Sequence, residues 1–224
     1  ATVNISVDEG LNYRTVTAEA QRIFPTNFLQ LIGIDNLHAT GLAAAEERIS
    51  NIEISLVLDI SGSMGWNQKI ENLRAAASEF VGTVNNNNES GLTTINIVPY
   101  NATVNLGSVV ADHYTLSNEH TDSNCVIFPN SVFNTRGISP NATLQRLANF
   151  DPNSLDENSN VTPTPWCPTD DYGAIIAHSS DQQELVAHIQ SLNAGGNTAI
   201  DLGMKWGVAL LDPSAQPVVN GLIA

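Results

Sequence analysis

Apolar residues run almost unbroken from Ile52 to Ile60 in IEISLVLDI, a segment rich in β-branched side chains and closed by the small polar turn SGS. Such a run predicts a strand buried on both faces of a parallel sheet. Beyond the turn, Ile70, Leu73, Ala77, Phe80, Val81 and Val84 recur at helical spacing and make one apolar stripe. The tract NNNNESG closes that helix, and TTINIVPYN supplies a second short strand. Strand, helix, strand is the unit of a doubly wound α/β sheet. The pattern resumes after residue 180, where DQQELVAHIQSLNA sets Leu185, Ile189 and Leu192 on one helical face and Gly195–Gly196 ends it. NTAIDLGMKWGVALL predicts a further amphipathic helix, halted at Asp212–Pro213, and the tail PVVNGLIA is apolar and uncharged.

The flanking regions read differently. ATVNISVD alternates and predicts a strand, YRTVTAEAQRIF a second strand leading into a helix, and TGLAAAEE holds good helix formers. Residues 1–50 are therefore expected to form an N-terminal segment of strand plus helix, linked to a domain spanning 51–224. Within that domain, residues from about 106 to 180 break the pattern with frequent Asn, Pro, Ser and Asp. A structureless loop of that length is unusual in a compact domain, so an insertion with its own short elements is expected, with a helix at PNATLQRLANF. No internal repeat of fixed period is present.

Charge narrows the classes of partner. Eight Lys and Arg against 23 Asp and Glu give a formal net charge of −15 and a pI near 4.4. That sign disfavours attraction to nucleic-acid phosphates or anionic lipid and is compatible with divalent cations, although a solubilising acidic surface is the plainer explanation. No segment reaches the ~20 apolar residues of a membrane helix. The chain starts at Ala1 without a basic leader and reads as a mature or processed product, its signal peptide or anchor absent. Cys125 and Cys167, the only cysteines, lie in the irregular stretch, where a disulfide stapling the insertion, and hence an oxidising compartment, is expected. Two separate free thiols are the alternative.

The chemistry concentrates where the buried strand ends. In D-I-S-G-S, alternation along an extended segment projects Asp59, Ser61 and Ser63 to one side. One carboxylate and two hydroxyls are hard oxygen donors, suited to Mg²⁺, Mn²⁺ or Ca²⁺ and poor for zinc. The bland alternative is a turn that caps the next helix. Thr198 follows a Gly–Gly–Asn loop at the start of a helix, where its hydroxyl could face a metal held by a neighbouring loop. Alternatively Thr198 caps that helix and Asp201 closes a capping-box variant. Asp201 is an additional candidate ligand.

DISGSM and GGNTAIDLG together resemble the von Willebrand factor A domain and its metal-ion-dependent adhesion site (MIDAS). On that resemblance D-x-S-x-S falls on Asp59, Ser61 and Ser63, and the loop threonine on Thr198. More narrowly, IEISLVLDISGSM, the WCP triplet of Trp166–Pro168 and NTAIDLGMKWGVALLDP resemble the TadG-like proteins of bacterial tight-adherence (Tad) pilus assembly, in which a membrane helix usually precedes a periplasmic A domain. The implied fold class is α/β, a doubly wound Rossmann-like sheet with helices on both faces, interrupted by the disulfide-stapled insertion. One departure is clear: the aspartate that completes the family's site, usually in T-D-G, does not follow Thr198. Either the later strands lie on a separate piece, which is the expectation, or the site is incomplete.

The expected function is a non-enzymatic, divalent-cation-dependent protein-binding module of the bacterial cell envelope, in Tad/Flp pilus assembly or surface adhesion. The partner would be a pilus or envelope protein, or another copy of the chain, that offers an acidic side chain to the ion. The expected location is periplasmic or extracellular, with any membrane attachment through an anchor outside this chain. A structural subunit whose metal only stiffens its loops is the first alternative. A serine hydrolase using Ser63, with His178 or His188 as base, is the second.

Overall fold

The computed structural model describes residues 2–10, 13–48, 51–86, 92–121, 123–147, 167 and 171–223. Contacts divide the chain into two units, Ala1–Asn51 and Ile52–Ala224.

The first unit is an antiparallel meander of β1 (Thr2–Glu9), β2 (Tyr13–Pro25) and β3 (Asn36–Arg48), in the order β1-β2-β3. The helices expected in this segment are absent among its described residues, and TGLAAAEE is strand. Alanine disguised a period of two. The register sets Ile5, Ala18 and Ala43 abreast, and Val7, Val16 and Ala45 abreast, so alternate residues share one apolar face. Once paired, the ladder hydrogen bonds outweigh the helix propensity of alanine. Most side chains here stay exposed, Ile5 at 69% and Leu42 at 75%.

The second unit begins as expected. β4 (Ile52–Asp59), α1 (Lys69–Asn86) and β5 (Thr93–Tyr100) follow in turn, and the two strands pair in parallel from Ile52↔Thr93 to Asp59↔Tyr100. The chain then enters the insertion, with α2 (Gly107–Ala111) and a small antiparallel pair, β6 (Val126–Ile127) and β7 (Gln145–Arg146). It returns through β8 (Ile176–Ser179), antiparallel to β5, and continues as α3 (Gln182–Ser191), α4 (Ile200–Leu210) and α5 (Gln216–Ile223).

The sheet order is β4-β5-β8. Leu58, Ile95 and Ile97 pack with Ile70, Val81, Leu185 and Ile189 of α1 and α3. On the other face Val57, Val98 and Tyr100 pack with Trp206, Ala209 and Leu210 of α4. The chain is thus mixed α/β with helices on both faces of this sheet. Among the described residues the sheet has three strands of mixed direction, not the fuller doubly wound sheet expected.

Within the insertion the expected helix at PNATLQRLANF is replaced, over its described residues, by β7. Backbone bonds to a neighbouring segment claim these groups: Leu144 N donates to Thr115 O at 2.8 Å, and Ser117 N to Leu144 O at 2.8 Å. Arg146 adds donations to Ser117 O at 2.9 Å and Asn124 Oδ1 at 2.9 Å. Cys125 and Cys167 form the disulfide, and both are fully buried. Trp166 and Pro168 of the WCP triplet lie outside the described residues. Among the described residues, no helix is long and apolar enough to cross a membrane.

Candidate metal centre

Asp59 closes β4 directly opposite Tyr100 at the end of β5. Ile60 N donates to Tyr100 O at 2.8 Å, which holds the chain to the sheet for one further residue. It then turns, and Ser61 N donates to Asp59 Oδ1 at 2.8 Å. This is an aspartate-stabilised turn, so part of the bland reading is real. Ser61 is buried and Ser63 exposed, with their Oγ atoms 3.3 Å apart. Oxygens at neighbouring corners of an octahedron lie about 3.0 Å apart for Mg²⁺ bonds of about 2.1 Å, and about 3.4 Å apart for Ca²⁺ bonds of about 2.4 Å. The observed spacing falls in that range, and the donor set fits a hard cation.

Thr198 lies on the loop 192–199, between α3 and α4, and this loop is bonded to the first one in both directions. Gly195 N donates to Ile60 O at 2.9 Å, and Gly62 N donates to Gly196 O at 2.9 Å. Glycine eases the crossing at Gly62 and Gly196, whereas a Cβ on Gly195 would meet nothing within 4 Å. A Cβ on Gly62 would stand 3.0 Å from Gly196 O, and Gly196 itself has φ +76. The capping alternative for Thr198 is not what forms: α4 begins at Ile200, with Ala199 as its N-cap and no side-chain cap bond. Thr198 is exposed, as is Asp201 in the first turn of α4.

Several supports carry no sequence signal. Arg74 of α1 donates through Nε to Leu192 O at 2.6 Å and through Nη2 to Asn193 Oδ1 at 2.7 Å. Asn193 N donates to the hydroxyl of Tyr172 at 2.7 Å, and Ala199 N to Asn101 O at 2.6 Å. These partners are far from the loop in sequence, so no spacing could reveal them. Burial first, and then the charge and hydrogen bonding of Asp59, raise the Tyr100 phenol above its ordinary range. A neutral phenol thus stands behind the carboxylate.

The histidines lie elsewhere. His178, at φ +52, donates its backbone N to Asn96 Oδ1 at 2.6 Å, and its Nε2 lies 3.1 Å from Leu210 O. Asn96 precedes Tyr100 by four residues, about 13 Å back along the strand. His188, on α3, has its pKa lowered by burial, against a backbone hydrogen bond to Ala174 and the charge of Glu184. The hydroxyl of Ser63 faces that of Ser61 instead. Trp66, just beyond the D-x-S-x-S loop, is 72% exposed. Among the described residues, no three His, Cys, Asp or Glu side chains gather as a metal cluster.

No family model matches the chain, and no curated protein matches it. Among solved structures, the chain is similar to the pilus adhesin RrgA from Streptococcus pneumoniae, with a TM-score of 0.33 and 12% sequence identity. The likeness covers 97% of this chain and 22% of the adhesin, so the chain spans about a fifth of that protein's length. A likeness of this size assigns neither fold nor function.

Proposed function

We propose that the chain is a divalent-cation-dependent protein-binding module of the bacterial cell envelope, acting in pilus assembly or surface attachment. Asp59, Ser61, Ser63 and Thr198 would hold Mg²⁺, or Mn²⁺ or Ca²⁺ in its place. When bound, the ion supplies a positive centre that accepts a carboxylate from a protein partner. Asp59 gives the only charge of the four, and the hydroxyls orient without neutralising further. Exposure of Ser63 and Thr198 leaves the site open to a partner's side chain.

One observation carries this reading: the paired bonds Gly195 N to Ile60 O and Gly62 N to Gly196 O join the D-x-S-x-S loop to the loop of Thr198. The pilus and envelope setting rests on the resemblance to TadG-like proteins, and the disulfide places the chain in an oxidising compartment. Calorimetric titration with Mg²⁺ and Mn²⁺ tests the ion site. Binding that disappears in Asp59→Ala supports it, and a wild-type chain indifferent to both ions refutes it.

A further inference from the structure

The loop 192–199 is gripped from two places outside the metal loop and α1, and both are roots of the insertion. Asn101, the first residue past β5, accepts Ala199 N at 2.6 Å. Tyr172, just before β8, accepts Asn193 N at 2.7 Å and donates its hydroxyl to Asn193 O at 3.3 Å. Thr198 therefore sits between two anchored points, Ala199 held where the chain leaves β5 and Asn193 held by the closing root of the insertion.

The two roots are tied to each other and to the disulfide through Asn105. This residue bridges Cys125 on one side and Ala174 on the other. Its Nδ2 donates to Tyr172 O at 3.1 Å, its Oδ1 accepts Gly107 N at 3.0 Å, and its carbonyl accepts Ile175 N at 2.9 Å. It is 4% exposed, so water does not readily replace these bonds. Contacts lead from Cys125 through Asn105 and Tyr172 to Asn193, and the chain then runs through Ala194 to Gly195, which bonds Ile60, between Asp59 and Ser61.

Building on the metal-site reading above, we infer that the insertion is the control element of the ion site. Asn101 and Tyr172 are positioning residues that set where the Thr198 hydroxyl stands relative to Asp59, Ser61 and Ser63. The disulfide holds both roots in place. A small hard cation demands near-ideal geometry from its ligands, so displacement of a single hydroxyl weakens it. Linkage adds a reciprocal effect: a binder that shifts these roots changes ion affinity, and the ion changes affinity for that binder by the same factor.

The test is titration of the full chain with Mg²⁺ and with Mn²⁺, comparing wild type, Tyr172→Phe and the Cys125→Ser/Cys167→Ser double variant, each checked for folding by circular dichroism. Phenylalanine keeps the ring and removes only the hydroxyl. Tyr172→Phe is expected to bind the ion on the order of tenfold more weakly, the low end of what loss of a direct partner of a metal ligand costs, because Tyr172 acts one step further out through Asn193. The melting temperature of the metal-free chain should change little. The double variant is expected to lose at least as much. Wild-type affinity in a folded Tyr172→Phe overturns the inference, and that variant decides alone if the cysteine variant fails to fold. A wild type that binds neither ion defeats the metal reading itself, a result distinct from a wild type and variant that bind equally.

Discussion

Gly203 lies so close to Tyr100 that a Cβ at that position would stand 2.5 Å from the phenol ring. One turn on, Gly207 bears the same relation to Val57, with a Cβ 2.5 Å from Cγ2. Helix α4 therefore rides directly on β4 and β5, and the loop of Thr198, which feeds this helix, arrives beside Asp59. Gly203→Ala should push the helix off the sheet, costing about 1–3 kcal/mol through overpacking and weakening ion binding at the same time. Thermal melting and Mg²⁺ titration of the variant check both effects. An unshifted melting temperature counts against so close an approach.

Ser61→Ala separates the binding module from the purely structural subunit. The Ser61 side chain is buried, with its Oγ beside that of Ser63, so alanine removes one oxygen donor and little volume. Ion affinity should fall on the order of tenfold or more, with little change in the circular dichroism spectrum. If the ion carries partner binding, binding falls in step. Intact assembly in a variant that no longer holds the ion favours the structural alternative.

Tyr114 carries a buried hydroxyl with no hydrogen-bond partner among the described residues, its ring edge-on to Trp206 at 5.4 Å. Burial pushes its pKa up from 10.0 to about 12. Between those values the folded chain keeps a proton that the unfolded chain releases, so stability is complete below pH 10 and falls as pH rises toward 12. Tyr114→Phe should remove that part of the alkaline loss. At neutral pH it should stabilise by about 1 kcal/mol, because no hydroxyl is then buried unpaired. Urea unfolding at neutral and alkaline pH measures both.

Lys205 anchors the insertion to α4. Its Nζ donates to the carbonyls of Thr135 at 2.6 Å, Arg136 at 3.0 Å and Gly137 at 3.0 Å, and the residue is buried. Lys205→Met keeps most of the stem and leaves three carbonyls without their cation. A loss of about 2–3 kcal/mol is expected in denaturant unfolding. A loss below the error of the measurement contradicts the anchoring role.

The strand, helix, strand core from Ile52 to Tyr100 was legible from its apolar β-branched runs and the single period of the α1 stripe. β4, expected to be buried on both faces, is instead the edge strand of the described sheet and is mostly exposed or half-buried. The disulfide was legible from the setting of Cys125 and Cys167. β3 was not, since alanine serves helix and strand alike and only pairing with β2 decides. β7 was missed for a related reason: Leu144 and Leu147 fit a helical stripe, but Thr115 and Ser117 take the neighbouring backbone. In the candidate site, the residue types around Asp59 and Thr198 were readable. The glycine crossings and the grips of Asn101, Tyr172 and Arg74 depend on tertiary proximity, which no local spacing encodes.

The one-sided sheet of the first unit has a mechanical consequence. Its ladders are sealed by little apolar burial, so solvent competes for them and the strands separate at small cost. Thr2 lies level with Gln21 and Arg48 level with Tyr13, near opposite ends of β2, so a pull on the two ends of this unit acts along the strands and loads the ladder bonds together rather than one after another.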